Sequence, residues 1–346
     1  MRESWGCADM RADELLVETI EGLLAKEVTP ERIGAAEGSM DVALWKLLED
    51  NGLTSVGTPE SSGGMGGTLH DLVAIVKAAG RHAAPVPIGD TLVAATFLSG
   101  QAIPSGPLAL AVVRPDREVV RVPWGGVAEH VVAVSEAGVA LHATESLPVV
   151  GRGANYAGEP YLDVAADVLR RGATAASFTA RHALGAGAFA RAMLLAGALE
   201  QAVDLSIQYA NEREQFGKQI GKFQIIQHYL SEMAGEAAAA NAALDNAVDV
   251  CSVSVDTDEH LVAIGAAKAY AGRAVTTVNR LAHQIHGAIG FTDEHRLQYT
   301  TRRLWTWRDE FGSESEWATH VGKSFAGSGP GALWSRLTTW PPVSAG

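Results

Sequence analysis

The residues best able to do chemistry in this chain lie in the run from Tyr209 to Gln227, YANEREQFGKQIGKFQIIQ. Arg213 offers a rigid fork of N–H donors that fits a phosphate bidentately. Gly217 gives the backbone the freedom to stop one helix and begin another, and the Phe223-Gln224 pair opens the second. A single arginine on a helix is ordinarily a solvated residue. What distinguishes Arg213 is the Phe-Gly break, the lysine and the Phe-Gln pair that follow it. Phe216 and Phe223, taken alone, equally suit a helical core.

Two further stretches carry comparable detail. One is Gln284-Ile285-His286-Gly287-Ala288-Ile289-Gly290-Phe291; the other is Trp45 to Gly67, WKLLEDNGLTSVGTPESSGGMGG. The three segments, in this order, resemble the acyl-CoA dehydrogenase family. Its patterns are R-x-x-F-G-x-x-I-x-x-F-Q, Q-x-x-G-G-x-G-F/Y and an N-terminal L-x-x-x-G-L-x-x-x-x-x-P-E-x-x-G-G-x-G. The matches span about residues 40 to 312.

The resemblance implies removal of the α-proton of an acyl-CoA thioester while the β-hydrogen leaves as hydride to FAD. That reaction needs a carboxylate base, a flavin over the Cα–Cβ bond and donors to the thioester carbonyl. In most of the family the base is a glutamate some twenty residues after the aromatic of the Q-x-x-G-G-x-G-F turn. Counted from Phe291, that position falls on Phe311, within Glu310-Phe311-Gly312-Ser313. A minority of the family places the base on the first long helix of the C-terminal domain, which here falls at Gly187. Neither position holds a carboxylate. Glu310 stands one residue early, about 100° away on a helix, and is the weak candidate for a displaced base; Glu314 and Glu316 read as solvated. The family's T-E-x-x-x-G-S-D and Trp-bearing strand, which bind the isoalloxazine, have no counterpart beyond Thr144-Glu145-Ser146.

The residues that the resemblance assigns to the FAD pyrophosphate and adenine of a neighbouring subunit are kept: Arg213, Gln215, Phe216, Gln224, Gln284 and Gly287, with Ala288 in place of the second glycine. The chain therefore resembles the shortened non-catalytic subunit of heterotetrameric, steroid side-chain type acyl-CoA dehydrogenases. The expected partner is a homologous full-length subunit, in an α2β2 assembly, with acyl-CoA as substrate and an electron-transfer flavoprotein as candidate acceptor. Two alternatives stand beside it: a self-sufficient homo-oligomer with a displaced Glu base, and a structural or regulatory subunit without flavin.

These residues need elements to carry them. Leu15, Leu16, Thr19, Ile20 and Leu23, then Val42 to Leu48 and Leu69 to Ala79, have helical spacing; residues 1–105 read as an N-terminal helical domain. Ser61 to Gly67 is a loop without the lysine or strand context of a phosphate cradle. From Leu108 the period changes to two, and 106–178 reads as a shortened β domain. Residues 179–325 carry three long Ala-rich helices and a shorter fourth, an antiparallel four-helix bundle, followed by a loose Gly/Pro-rich tail, 326–346. The fold class is mainly α with a small β domain.

Composition narrows the setting. The 346-residue chain is 47% hydrophobic, enough for a sizeable core, and its net charge of −13 without a basic stripe argues against nucleic acid. Cys7 and Cys251 are the two cysteines, far apart, which fits a reducing, cytoplasmic setting without a disulfide framework. No run of about 18 apolar residues points to a membrane span. His283 and His286 flank a turn, and no ligand spacing suits a metal. The run Leu304 to Glu310 suits an interface or a binding lip; Trp305 and Trp307, two apart, share a helical face poorly, which leaves partner contact open.

Overall fold

A computed structural model describes residues 11–98, 102–253 and 258–327, together with residue 334. The first five helices are α1 (Glu14–Glu27), α2 (Pro30–Ala35), α3 (Val42–Asp50), α4 (Leu69–His82) and α5 (Ile88–Ala95). Each of the first four begins at a side chain that accepts an otherwise orphaned N–H. Asp13, Thr29 and Asp41 cap α1 to α3, Pro30 sits in the first turn of α2, and Thr68 and Asp71 form a reciprocal capping box on α4. The Ser61 to Gly67 loop folds back on itself, bridging Thr58 to Gly66.

Six strands follow in two small sheets. β1 (Leu108–Val113) pairs in parallel with β3 (His130–Ser135), which pairs antiparallel with β4 (Gly138–Ala143). β2 (Val119–Pro123) and β5 (Val149–Ala154) flank β6 (Pro160–Ala165), both antiparallel. A single helical turn, α6 (Ala166–Leu169), leads out. Ala109, Ala111, Val122, Val131 and Val164 fill the space between the sheets. On its other side, β1 presents Leu108 and Leu110 to α5 and to the next helix.

The bundle consists of α7 (Ala180–Glu212), α8 (Gln224–Val253), α9 (Asp258–His286) and α10 (Arg296–Asp309), with α11 (Glu314–Ala326) packed on α9. The fourth helix thus matches the sequence expectation, and α11 is an addition to it. The expectation for the 326–346 tail falls almost wholly outside the described residues. α7 is the central helix. It is long and apolar enough to cross a membrane, but 83% of its most apolar window is buried inside the fold, so its apolar length serves the core. Against α4 the two backbones touch. A Cβ on Gly80 would stand 2.2 Å from the Leu194 carbonyl, and one on Gly197 would stand 2.0 Å from that of Lys77. These two glycines set how closely the N-terminal helices clasp α7.

Candidate functional site

The chain between α7 and α8 is a β-hairpin, with Glu214–Gln215 paired to Lys218–Gln219. Its two central residues, Phe216 (φ 52°) and Gly217 (φ 78°), are both left-handed, the requirement of a two-residue type I′ turn. The sequence reading of Gly217 as a plain helix break is corrected accordingly: the break is a hairpin, and Phe216 is its tip. Phe216 is 92% exposed, so it is not core. Phe223 is half-buried beneath it, edge-on at 6.3 Å, with the Lys218 ammonium 4.3 Å from the Phe223 ring.

Gln284 and the 3₁₀ turn Gly287–Phe291 lie at the same end of the bundle, because α9 runs antiparallel to α8. Tyr209 at the end of α7 stacks on His286 at 4.6 Å, and His286 lies 4.8 Å from His295. This aromatic cluster ties the hairpin to the turn. Gly287 adopts φ 64°, whereas Ala288 is not among the left-handed residues. The second glycine's replacement therefore carries no backbone strain. Arg213, Gln215, Phe216, Gln224, Gln284, Gly287 and Ala288 are all exposed. Ile225 (52%), Ile289 (43%) and Phe291 (66%) surround them as exposed apolar neighbours. Among the described residues, the side chains of Arg213, Gln215, Gln224 and Gln284 make no hydrogen bond within the chain. The face is polar at its centre, apolar at its edges and directed outward.

The interior tells a different story. Phe311 and Gly187, the two positions at which the resemblance placed the base, pack on one another. A Cβ on Gly187 would stand 2.3 Å from Cδ1 of Phe311. The Phe311 ring lies 4.9 Å below the guanidinium of Arg191, a residue of α7 with no solvent exposure. Arg191 donates from Nη1 and Nη2 to the two Asp90 oxygens at 2.8 and 3.1 Å, and from Nε to Glu310 Oε2 at 2.7 Å. Burial works against the charge on Arg191, but Asp90 and Glu310 outweigh it and leave its pKa raised. Burial likewise raises the Asp90 carboxyl, with Arg191 opposing.

The network continues outward. Asn155 Nδ2 donates to Glu310 Oε1 and to Glu159 Oε2, both at 3.1 Å. Glu159 also accepts from Trp307 Nε1 at 3.1 and 3.2 Å and ion-pairs with Arg303 at 3.5 Å. Burial raises the Glu159 pKa and lowers that of Arg303. Trp305, by contrast, is on the exposed side of α10. The network joins α5, the β5–β6 loop, α7 and α10.

Glu310 is not helical: it caps α10 in extended conformation (φ −72°, ψ 143°), which corrects the helical-offset reading of its direction. Phe311 and Gly312 follow with φ 53° and 97°. Lys268 of α9, fully buried, donates to the carbonyls of Arg308 at 2.5 Å and Gly312 at 3.0 Å. Burial, with Arg191 nearby, lowers its pKa to about 7. Glu316 is the capping-box partner of Ser313, and Glu314 stands 4.0 Å from Arg308.

Sequence reasoning did not single out Asp90, Asn155, Glu159, Arg191, Lys268 or Arg303. A signal existed for two of them. Arg191 interrupts AFARAMLLAGAL and Lys268 interrupts AIGAAKAYAG, and a charge inside an apolar helical run is costly unless partnered.

Comparison with known proteins agrees with this architecture. Residues 11–103 match the family described as acyl-CoA dehydrogenase, N-terminal domain, and residues 178–313 match acyl-CoA dehydrogenase, C-terminal domain. The chain is similar to the acyl-CoA dehydrogenase IpdE2 of Mycolicibacterium smegmatis, 29% identical over 84% of this chain and 91% of that protein. It also resembles the acyl-CoA dehydrogenase FadE34 of Mycobacterium tuberculosis, 30% identical over 83% of this chain but 43% of that protein. Among solved structures, the Tcur3481-Tcur3483 steroid ACAD G363A variant superposes with a TM-score of 0.79 at 23% identity, covering 91% of this chain and 97% of that one. The ChsE4-ChsE5 complex from Mycobacterium tuberculosis gives 0.77 at 21% identity, covering 93% and 100%.

Proposed function

This chain belongs to the acyl-CoA dehydrogenase family, and from that premise we propose that it is the non-catalytic subunit of a heteromeric, FAD-dependent acyl-CoA dehydrogenase. The observation that carries the reading is the Phe311 ring packed on Gly187. Neither position holds a carboxylate, and at Gly187 the Phe311 ring leaves no room for one. Bound FAD would supply the acceptor for the β-hydride; the base that takes the α-proton belongs to a homologous full-length partner. This chain's part is to receive the pyrophosphate end of the partner's cofactor. Arg213 holds phosphate oxygens, and Gln215, Gln224 and Gln284 donate from amides around it. Phe216, Ile225 and Phe291 exclude water by packing on the partner. Their outward, unpartnered placement suits that role, because no hydrogen bond within the chain has to break before they bind.

The similarity to IpdE2 and to the solved steroid ACAD variant and ChsE4-ChsE5 complex favours a heteromeric assembly, which we take as α2β2 acting on a steroid-derived acyl-CoA thioester. A flavin-free structural subunit is the weaker reading, since a scaffold has no use for an unpartnered Arg213 beside three glutamines.

Arg213→Ala in the assembled complex tests the proposal. A hydrogen bond to a charged group is worth about 1.5–3 kcal/mol, so FAD retention should weaken about tenfold or more while the fold, to which the exposed side chain adds nothing, stays intact. Unchanged flavin occupancy and activity would mean that Arg213 is only a solvated residue.

A further inference from the structure

Near the end of α7, Leu205, Gln208, Tyr209 and Glu212 share one face of the helix, spaced at three and four residues. That face turns towards the junction of α1 and α2 and the start of α10. Between these elements lies a cleft of about 390 Å³, a size within the ~300–1,000 Å³ of ligand pockets. None of the outward residues proposed to meet the flavin lines it. Ala25, Val28, Pro30 and Leu205 make its walls apolar, and Tyr209 adds an aromatic surface. The cation of the lining is Arg296, which is half-buried. Its Nη2 donates to the Val28 carbonyl, its Nε is buried without a partner, and burial lowers its pKa. Among the described residues, no carboxylate stands within ion-pair distance of it. Arg32, Arg191 and Arg303, which are also withdrawn from solvent, each have one. Taking an arginine out of water without a counter-ion is costly, so its placement in a cleft points to an anion supplied from outside.

We propose that this cleft binds a small monocarboxylate with an apolar body, its carboxylate against Arg296 and its body along the apolar walls. His295 supplies a second donor on the lining. Its Nδ1 accepts the Leu297 N–H at 3.1 Å, so the proton of the neutral ring sits on Nε2, and burial disfavours the charged ring. Glu212 and Glu294, also on the lining, set the charge limit. One Glu212 oxygen accepts from Gln208 Nε2 at 2.8 Å, which holds the carboxylate in place. Two carboxylates beside one guanidinium tolerate a single negative charge and repel a phosphate dianion. A carboxylate therefore fits the cleft, and a phosphate ester does not. The site is independent of the subunit reading, since it takes a ligand on the side of α7 that faces the N-terminal helices.

The test is calorimetric titration of the full chain at neutral pH with octanoate as probe. Octanoate should bind saturably, and 1-octanol and octyl phosphate, which keep the body and change the head group, should bind at least tenfold more weakly. Arg296→Gln should weaken octanoate at least tenfold, the loss expected when a charge-assisted hydrogen bond is removed. That change also takes a donor from the Val28 carbonyl, so a second variant guards against misfolding. Ala25→Trp fills the cleft from an exposed position on α1; it should abolish octanoate binding while circular dichroism shows the fold unchanged. A wild-type chain without saturable octanoate binding overturns the proposal. So does binding that survives Ala25→Trp, or octanol or octyl phosphate binding as tightly as octanoate. None of these outcomes bears on the Arg213 flavin test, which reads a different face of the molecule in the assembled complex.

Discussion

Both Glu310 oxygens accept hydrogen bonds within the chain, from Arg191 Nε and Asn155 Nδ2, so the carboxylate is committed to the buried network. Its neighbour Asp90 is spoken for by the other face of the same guanidinium. We expect Glu310→Gln to leave dehydrogenation by the assembled complex within a few-fold of wild type, measured as single-turnover flavin reduction. A general base contributes about 10²–10⁴-fold, so a loss of that size would make Glu310 the base and the chain a self-sufficient enzyme. At this scale the sequence was half legible. Arg213, Gln224 and Gln284 sit in short sequence motifs, so the roles proposed for them could be read without a structure. Asp90 and Arg191 are 101 residues apart, and no local pattern pairs them; the one trace was a charged residue set in an apolar helical run.

At the scale of elements, the contact between α7 and the turn after α10 is set by a missing side chain. Gly187→Ala places a methyl group 2.3 Å from Phe311 Cδ1. Overpacking of this kind costs about 1–3 kcal/mol, read as a lowered denaturation midpoint. Combining it with Phe311→Ala should cost less than the sum of the single changes, since the two residues share one space; strict additivity would mean that they do not touch. The end of the bundle makes a separate prediction about pH. His286 has a pKa of about 4, pushed down by burial, although the carbonyl of Ala282 opposes the shift. The unfolded chain titrates near 6.5. Between these values the unfolded state binds more protons, so stability falls as the pH drops from about 6.5 towards 4. Burial lowers His283 and His295 in the same direction. His286→Phe should flatten part of this acid slope in pH-dependent denaturation, and an unchanged slope would remove His286 from the account. Helix positions were legible because the 3.6-residue period is strong over long runs. The hairpin was not, because a two-residue strand pair has too few residues to show a period and its left-handed tip is a phenylalanine.

At the scale of the whole molecule, one buried network draws α5, the β5–β6 loop and the bundle together beside Phe311. A cluster of donors faces outward at the end of the bundle. The order of helices, strands and helices could be read from the change of period at Leu108 and back at Ala180. That the interior is closed by ion pairs and an aromatic ring could not, since it depends on residues from five elements meeting. The central claim is that the chain gives to a partner's flavin and holds none of its own. The most direct measurement is the flavin absorbance of the chain purified alone, against the same chain co-expressed with a homologous full-length acyl-CoA dehydrogenase subunit. The chain alone should be colourless, and the co-purified pair should carry one FAD per pair of subunits. A yellow homo-oligomer of this chain with one FAD per subunit would contradict the account.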